Sequence, residues 1–247
     1  MSETTNESLR ILIVDDDPDI RSGLVELLSE FGYQAASAED GRRALQLLTR
    51  QPFDFAILDY KMPGMDGASL YREMREVSPQ TAAIMITAWS GSDGAAAALN
   101  AGVWAVLRKP IDMDALFAQL EIVSGAPTVL LVDDDREFCD SLWQALNQNH
   151  IRVGISHSEA GGLSQACSDQ FDVVIVDLQL GTGDGRRILR ELRETSRPMR
   201  TIIVSGKVGI EDLQSRDPSF ETQVDAIYHK PIDMEQLLEF LKPRLVD

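Results

Sequence analysis

The sequence predicts two α/β domains in tandem, each a doubly wound, five-stranded parallel sheet built from five βα repeats. Three observations predict this fold class: the chain repeats itself, its apolar runs are short and continuous, and helical patterns alternate with those runs. With 247 residues, 44% of them hydrophobic and 26% charged, the chain has a globular composition and the length of two ordinary domains.

The repeat is visible at several landmarks along the chain. An offset of 118 residues places FDFAILD at 53–59 on FDVVIVD at 171–177, and Asp66-Gly67 on Asp184-Gly185. The last landmark, Lys-Pro, is shifted by 121 residues, which indicates a three-residue insertion in the second copy. The predicted organisation is a flexible N-terminus over 1–8, a first domain over 9–123, a short linker over 124–127 and a second domain over 128–247.

The elements of the first copy follow from hydrophobic periodicity. A helix is predicted to begin at Pro18, with apolar residues at helical spacing and Gly32 just beyond its end. The last helix is predicted near 112–123. The strands are predicted near 10–14, 33–37, 54–58, 83–87 and 103–107.

The second copy has the same pattern with local differences. Gly161-Gly162 falls in its second helix, where each glycine costs about 0.5–1 kcal/mol relative to alanine. The stretch 207–223 contains Pro218 and little helical periodicity, so its fourth helix is expected to be short or distorted. Its third-strand loop, DLQLGTGDG, lacks the proline that the first copy has at Pro63.

Three aspartates of the first copy lie where strands end. Asp15 and Asp16 follow strand 1 and Asp59 follows strand 3, and the carboxyl ends of parallel strands form one edge. Two carboxylates about 4 Å apart repel by roughly 4 kcal/mol at an effective dielectric near 20, so a cluster requires a shared proton or a cation. An all-oxygen site suits Mg²⁺. Asp17 is interpreted as a helix N-cap.

A hydroxyl and an ammonium group end the next two strands. Thr87 ends strand 4 and Lys109 ends strand 5, and with Mg²⁺ they would face the three oxygens of a phosphoryl group. No Cys, His or Ser lies at this edge in both copies, so the predicted nucleophile is a carboxylate and the product an aspartyl phosphate.

These motifs resemble the receiver domains of two-component response regulators, which have a flavodoxin-like fold, as in CheY-like proteins. The resemblance covers nearly the whole chain, with an acid pair, D-x-x-x-P-x-x-D-G around Asp59, Thr-Ala and Lys-Pro. It implies cis peptides before Pro110 and Pro231 and a histidine kinase or histidine phosphotransfer protein as phosphodonor. The implied roles in the first copy are Asp59 as phosphoacceptor, Asp15 and Asp16 as metal-binding acids, the Lys61 backbone carbonyl as a further metal ligand, Thr87 as switch hydroxyl and Lys109 as phosphate contact. In the second copy they fall on Asp177, Asp133 with Asp134, Gln179, Ser205 and Lys230.

Both copies depart from the family in one respect. Receiver domains usually place Tyr or Phe three residues before the lysine, where this chain has Val106 and Ile227. Trp104 and Tyr228 lie nearby but out of register, and on a regular strand Tyr228 would face away from the side that Ile227 faces.

Composition excludes several classes of protein. The net charge of −17 is shared by both halves, so neither has the basic excess of a nucleic-acid-binding domain. Two cysteines are too few for a disulfide framework, and the sequence has no membrane-spanning run and no signal peptide. We therefore expect a cytoplasmic protein with no direct nucleic-acid or membrane partner.

The leading hypothesis is a response regulator with two receiver domains and no output domain, since only five residues follow Lys242. It would not be an enzyme beyond its own phosphorylation and dephosphorylation, and it would signal to a downstream protein, with a homodimer left open. One alternative is an adaptor in which one copy is phosphorylated and the other docks or dimerises. Another is the receiver portion of a longer regulator such as a cyclic-dinucleotide enzyme. A haloacid-dehalogenase-type phosphatase fits poorly, because Pro18 and Asp19 replace the required continuation of its D-x-D motif.

Overall fold

The chain divides into two compact units, Met1–Ala126 (unit one) and Pro127–Asp247 (unit two). The structure, a computed structural model, describes residues 8–88, 98–167, 171–181, 183–194, 199–206 and 224–242. Each unit contains its own parallel five-stranded sheet, as the fold class predicted. None of the helices within these ranges is long and apolar enough to cross a membrane.

Unit one alternates strands and helices. Its sheet is parallel throughout, with the strand order β2-β1-β3-β4-β5. Residues 98–101 are also helical. The elements are β1 (Arg10–Val14), α1 (Pro18–Glu30), β2 (Gln34–Ala38), α2 (Gly41–Leu48), β3 (Phe55–Asp59), α3 (Gly67–Val77), β4 (Ala82–Thr87), β5 (Ala105–Arg108) and α4 (Met113–Gly125).

Both faces of this sheet are buried, because continuous apolar strands supply side chains to each face. Alternate residues such as Ile11 and Ile57 pack with Leu24 of α1 and Leu116 of α4. The residues between them are buried as completely, including Leu12, Val14, Leu58 and Met85. The prediction from the continuous apolar runs, a sheet covered on both sides, is therefore confirmed for unit one.

Aspartates begin the helices of unit one. The Asp17 side chain accepts hydrogen bonds from the backbone N–H groups of Asp19 and Ile20 at the start of α1, which confirms its interpretation as an N-cap. Asp66 and Asp112 cap α3 and α4 in the same way. Gly32 follows the end of α1 with a φ of 88°, as expected for the residue after a helix.

Unit two has the same topology. The strand order of its sheet is β12-β11-β8-β6-β7, which is the order of unit one read from the opposite edge. The stretch 207–223, predicted to hold a short or distorted helix, lies outside the described residues. The elements are β6 (Thr128–Val132), α5 (Arg136–Gln148), β7 (Arg152–Ser156), α6 (Glu159–Ala166), β8 (Val173–Asp177), β9 (Gln179–Leu180), β10 (Gly183–Asp184), α7 (Gly185–Glu194), β11 (Arg200–Ser205), β12 (Ala226–His229) and α8 (Met234–Leu241).

The loop after the third main strand distinguishes the two units. In unit two it forms a short antiparallel hairpin, β9–β10, which the sequence did not predict. Glu159 of α6 anchors the hairpin, since its Oε2 accepts a hydrogen bond of 2.8 Å from the Asp184 backbone N–H. Gly183 makes room, because a Cβ there would lie 2.9 Å from the Glu159 Cβ. At the equivalent positions of unit one the small and the large residue are exchanged: Gly41 replaces Glu159 and makes room for Met65, which replaces Gly183.

The two consecutive glycines of α6 do not interrupt the helix. Gly162 is buried, and a Cβ at this position would lie 2.8 Å from a Val132 methyl group and 3.0 Å from an Ile188 methyl group. The glycine therefore permits α6 to lie close to the sheet and to α7, and this packing offsets its low helix propensity.

Candidate functional site

The ends of three neighbouring strands form the candidate site of unit one. Val14, the last residue of β1, pairs with Leu58 of β3, and Asp59 pairs with Ile86 of β4. Asp15 and Asp59 therefore leave adjacent strands side by side. The backbone N–H of Lys109 donates to the Thr87 carbonyl oxygen at 2.9 Å, which fixes the lysine beside the end of β4.

Lys109 bridges the two buried aspartates. Its Nζ lies 2.8 Å from Asp15 Oδ2 and 2.9 Å from Asp59 Oδ1. The aspartate side chains are 4% and 6% exposed, whereas the lysine side chain is 23% exposed. The bridge thus places one positive charge between two nearly buried negative charges. Without this lysine, burying the two carboxylates would cost much more free energy.

Asp15 is fixed by further hydrogen bonds. Its Oδ1 accepts a bond of 2.9 Å from the Asp17 backbone N–H. Its main-chain carbonyl oxygen accepts a bond of 2.7 Å from Arg21 Nη1. Arg21 was not among the predicted site residues. The sequence feature that could have indicated its role is its position on the first turn of α1, just after the acid pair.

The three aspartates form an oxygen cluster. One carboxylate oxygen from each of Asp15, Asp16 and Asp59 lies within 4.8 Å of the other two, and Asp16 is the exposed member. Within the described ranges this is the one set of three His, Cys, Asp or Glu residues that meets this distance. The donor set is entirely oxygen and has an open side at Asp16, so these residues fit Mg²⁺.

The charges of the site shift two pKa values. Burial raises the pKa of the Asp59 carboxyl; Lys109 opposes this change, Asp15 and Asp16 add to it, and the net pKa is above its ordinary value. Burial lowers the pKa of the Lys109 ammonium, but its hydrogen bonds and charge interactions with Asp15 and Asp59 raise it by more. The lysine therefore stays protonated, and the Asp59 carboxylate is more basic than an ordinary aspartate.

A glycine closes the loop after Asp59. A Cβ on Gly67 would lie 2.4 Å from the Asp59 carbonyl oxygen, so only glycine lets α3 begin against the main chain of Asp59. Gly185 is equivalent in unit two, where a Cβ would lie 2.0 Å from the Asp177 carbonyl oxygen. The repeated Asp-Gly was a landmark of the sequence, but no role was predicted for its glycine.

The other predicted residues of unit one lie at the expected places in the chain. Thr87 ends β4 and is 6% exposed. Lys61 follows Asp59 by two residues and is exposed. The peptide between Lys109 and Pro110 is cis, as the resemblance implied. The roles of Thr87 and of the Lys61 carbonyl stay predictions.

Unit two brings its equivalent residues together. Lys230 Nζ lies 2.7 Å from Asp177 Oδ2 and 2.6 Å from Asp133 Oδ2. The Ser205 hydroxyl donates a bond of 3.2 Å to Asp177 Oδ1, and the Gln179 backbone N–H donates one of 3.0 Å to the same oxygen. The Lys230–Pro231 peptide is also cis. The role of the Gln179 carbonyl as a metal ligand stays a prediction.

Burial also shifts the pKa values of this lysine bridge. Burial raises the pKa of the Asp133 carboxyl. Lys230 lowers this pKa and the Asp177 charge raises it, and the net pKa is above its ordinary value. Burial lowers the pKa of Lys230, but hydrogen bonds with Asp133 and Asp177 raise it by more.

The second site differs from the first in its surroundings. Asp134 is exposed and near the hairpin, where a Cβ on Gly181 would lie 3.4 Å from its Oδ2. Among the residues that the structure describes, Asp133, Asp134 and Asp177 do not meet the 4.8 Å distance that the acids of unit one meet. Lys230 lies over the Phe138 ring, 4.2 Å from its centroid. The second site is an open pocket of about 610 Å³ that Arg186 also lines.

Comparisons with known proteins agree with this geometry. The profile of the family described as "Response regulator receiver domain" matches residues 11–121 and 129–242. The chain belongs to the response regulator receiver family. It has two receiver domains in tandem, each with the flavodoxin-like fold expected of that family.

Relatives match either both receiver domains or one. A response regulator receiver protein of Anaeromyxobacter is 31% identical over 93% of this chain and 92% of its own length. The response regulator PleD of Caulobacter vibrioides is 29% identical over 96% of this chain, but the chain covers 59% of PleD. The transcriptional regulatory protein GlrR of Escherichia coli is 36% identical over 47% of this chain and 26% of GlrR.

The positions usually held by an aromatic residue are aliphatic in both receiver domains. Val106 lies within β5, and Ile227 packs against the core of unit two. Trp104 is 9% exposed and belongs to the core of unit one, while the Tyr228 hydroxyl donates to the Gln236 carbonyl oxygen of α8 at 3.3 Å. Neither nearby aromatic residue takes the place of the missing one.

Proposed function

We propose that this chain is a two-receiver response regulator that accepts a phosphoryl group from a phosphohistidine on Asp59, Asp177 or both. The observation that carries the proposal is the lysine bridge: in each unit one ammonium group contacts the acceptor carboxylate and a second, buried acid within 3 Å. Such an arrangement neutralises charge at the oxygen that attacks phosphorus.

The residues of unit one divide the work of transfer. An Asp59 oxygen forms the new bond to phosphorus while the phosphorus–nitrogen bond of the donor breaks and its electron pair leaves with the imidazole. Lys109 stabilises the phosphoryl oxygens, and Thr87 supplies a hydroxyl at the end of β4. Asp15, Asp16, Asp59 and the Lys61 carbonyl would hold Mg²⁺, which supplies further charge neutralisation when bound.

Phosphorylation of single-acceptor variants tests the proposal. Treatment with acetyl phosphate and Mg²⁺, followed by Phos-tag electrophoresis, should give up to three shifted species for the parent chain, two singly and one doubly phosphorylated. Asp59→Ala and Asp177→Ala should each give at most one. The double variant should give none. Label that persists in the double variant would show that neither aspartate is the acceptor.

An adaptor is the second candidate function. The asymmetry of the sites favours it, since three acids gather within 4.8 Å in unit one and, over the described residues, not in unit two. In this version Asp59 is phosphorylated and unit two docks or dimerises. Equal stoichiometry of label in the two single variants would contradict it, and sizing with and without beryllofluoride would detect a homodimer.

The remaining parts of the proposal concern partners and context. The phosphodonor is a sensor histidine kinase or a histidine phosphotransfer protein, the readout is binding to a downstream protein, and the chain is cytoplasmic and turns over no other substrate. The coverage of 59% of PleD favours a further alternative, the receiver portion of a longer regulator. The mass of the native protein distinguishes these alternatives.

A further inference from the structure

Arg186 is a second cation beside the candidate acceptor of unit two. It lines the same open pocket as Asp177 and Lys230. Five aspartates line this pocket together with these two cations. The repeat places Ala68 at the equivalent position of unit one, directly after Gly67, and Ala68 is buried. At this position, therefore, only the second receiver domain carries a positive charge.

The fold holds Arg186 at the edge of the pocket. Its backbone N–H and its Nε both donate to Asp184 Oδ1, at 3.0 and 2.8 Å, and Nε lies 3.0 Å from Asp184 Oδ2. The two side chains are 34% and 38% exposed. An ion pair this exposed stabilises little, so a more highly charged anion in the pocket competes well for the guanidinium.

We propose that Arg186 contacts the phosphoryl group on Asp177 and stabilises its transfer, a role that Ala68 cannot fill in unit one. The inference rests on the proposed function, namely that Asp177 is an acceptor. Guanidinium groups bind phosphate oxygens with two parallel hydrogen bonds, whereas an ammonium acts as a point charge. Arg186 would supply the second site with positive charge next to the phosphoryl oxygens, where, within the described residues, the acids do not form the three-carboxylate cluster that unit one offers to a cation.

The reaction used to test this is transfer from acetyl phosphate with saturating Mg²⁺. A bond forms between an Asp177 carboxylate oxygen and phosphorus, the phosphorus–oxygen bond to the acetyl group breaks, and its electron pair leaves with acetate. All variants carry Asp59→Ala, so that label reports Asp177 alone. Two quantities are measured: the initial rate of labelling, and the affinity for beryllofluoride, which fluorine NMR reports.

Arg187 provides a matched control on the same turn of α7. Its guanidinium contacts Glu159 Oε1 at 2.9 Å, and it does not line the pocket. Arg186→Ala should lower the labelling rate and the beryllofluoride affinity about tenfold, the effect of one lost charge-assisted contact. Arg187→Ala should change both less than twofold, and Arg186→Lys should fall between. Arg186→Gln repeats the test if the alanine variant fails to fold.

Two results would overturn the inference, and they differ. If Asp177 takes label but Arg186→Ala and Arg186→Gln behave like Arg187→Ala, the inference fails and the proposed function stands. If the Asp59→Ala chain takes no label and binds no beryllofluoride, the inference fails together with the assignment of Asp177 as an acceptor.

Discussion

Asp59 lowers the stability of the fold that contains it, because burial and neighbouring acids raise its pKa. For an acid whose pKa is higher in the folded state, the ionised form costs stability above that pKa, and the cost disappears as the pH falls through it. The site therefore combines an unfavourable charge with the proposed nucleophile, a combination that is common at functional sites.

Replacing Asp59 with Asn should thus stabilise unit one. We expect the free energy of unfolding at pH 7, measured with urea in EDTA, to rise, because the ionised carboxylate is removed, and the gain to vanish on acidification. Asp66→Asn is the control, since asparagine caps a helix as well as aspartate does. A gain that is equal at acidic and neutral pH would contradict this explanation.

The close approach of Gly67 to Asp59 leads to a second prediction at the residue scale. Gly67→Ala should lower the free energy of unfolding by about 1–3 kcal/mol, as overpacking does, and should slow labelling of Asp59 severalfold. Gly23 lies inside α1 with open space where a Cβ would stand, so Gly23→Ala should raise stability by about 0.5–1 kcal/mol. Urea unfolding and Phos-tag gels report both. Equal effects of the two substitutions would refute the steric argument.

At the scale of the element, α1 depends on Asp17 for its start. Asp17→Ala should cost about 1 kcal/mol of unfolding free energy, and Asp17→Asn should stay within 0.5 kcal/mol of the parent. Both should still be phosphorylated on Asp59, because Asp17 is not a member of the acid cluster. Loss of Mg²⁺-dependent labelling in both variants would instead indicate that Asp17 is a metal ligand.

Element boundaries show what local sequence can predict. Strand β1 and the start of α1 were predicted to the residue, because an apolar run meets an aspartate cap and a proline. Strand β5 was predicted near 103–107 but spans Ala105–Arg108. Val103 and Trp104 are buried ahead of the strand, and hydrophobicity alone does not distinguish buried residues from paired ones.

The hairpin β9–β10 could not be predicted, because it depends on a contact distant in sequence. Its anchor, Glu159, lies 25 residues from Asp184, and the space for it comes from Gly183. Arg186 was missed for a similar reason: its place in the pocket of Asp177 follows from the position of α7 and not from its spacing to Asp177 in the sequence. The sequence does contain one signal for the hairpin contact, a paired exchange between the copies. Gly41 and Met65 of the first copy correspond to Glu159 and Gly183 of the second, so the small and the large residue trade places.

At the scale of the whole molecule, each unit has a separate sheet and core of ordinary domain size. We expect fragments 1–126 and 127–247 each to fold alone, with a cooperative urea transition and a circular dichroism spectrum of α/β type. A fragment 1–126 that takes phosphate from acetyl phosphate would show that its site is complete. Failure of either fragment to unfold cooperatively would show that the units stabilise each other.

The separation of Lys109 from Asp15 along the chain, 94 residues, has a consequence for protein synthesis. A ribosome-bound chain that has emerged only as far as residue 100 already carries every carboxylate of the first site but not its ammonium group. If Asp59 is the phosphoacceptor, we therefore expect its phosphorylation to wait until the fifth strand has left the ribosome and joined the sheet. Phosphate on Asp59 would then mark chains whose first receiver domain is complete, and shorter nascent chains would not be substrates of the kinase.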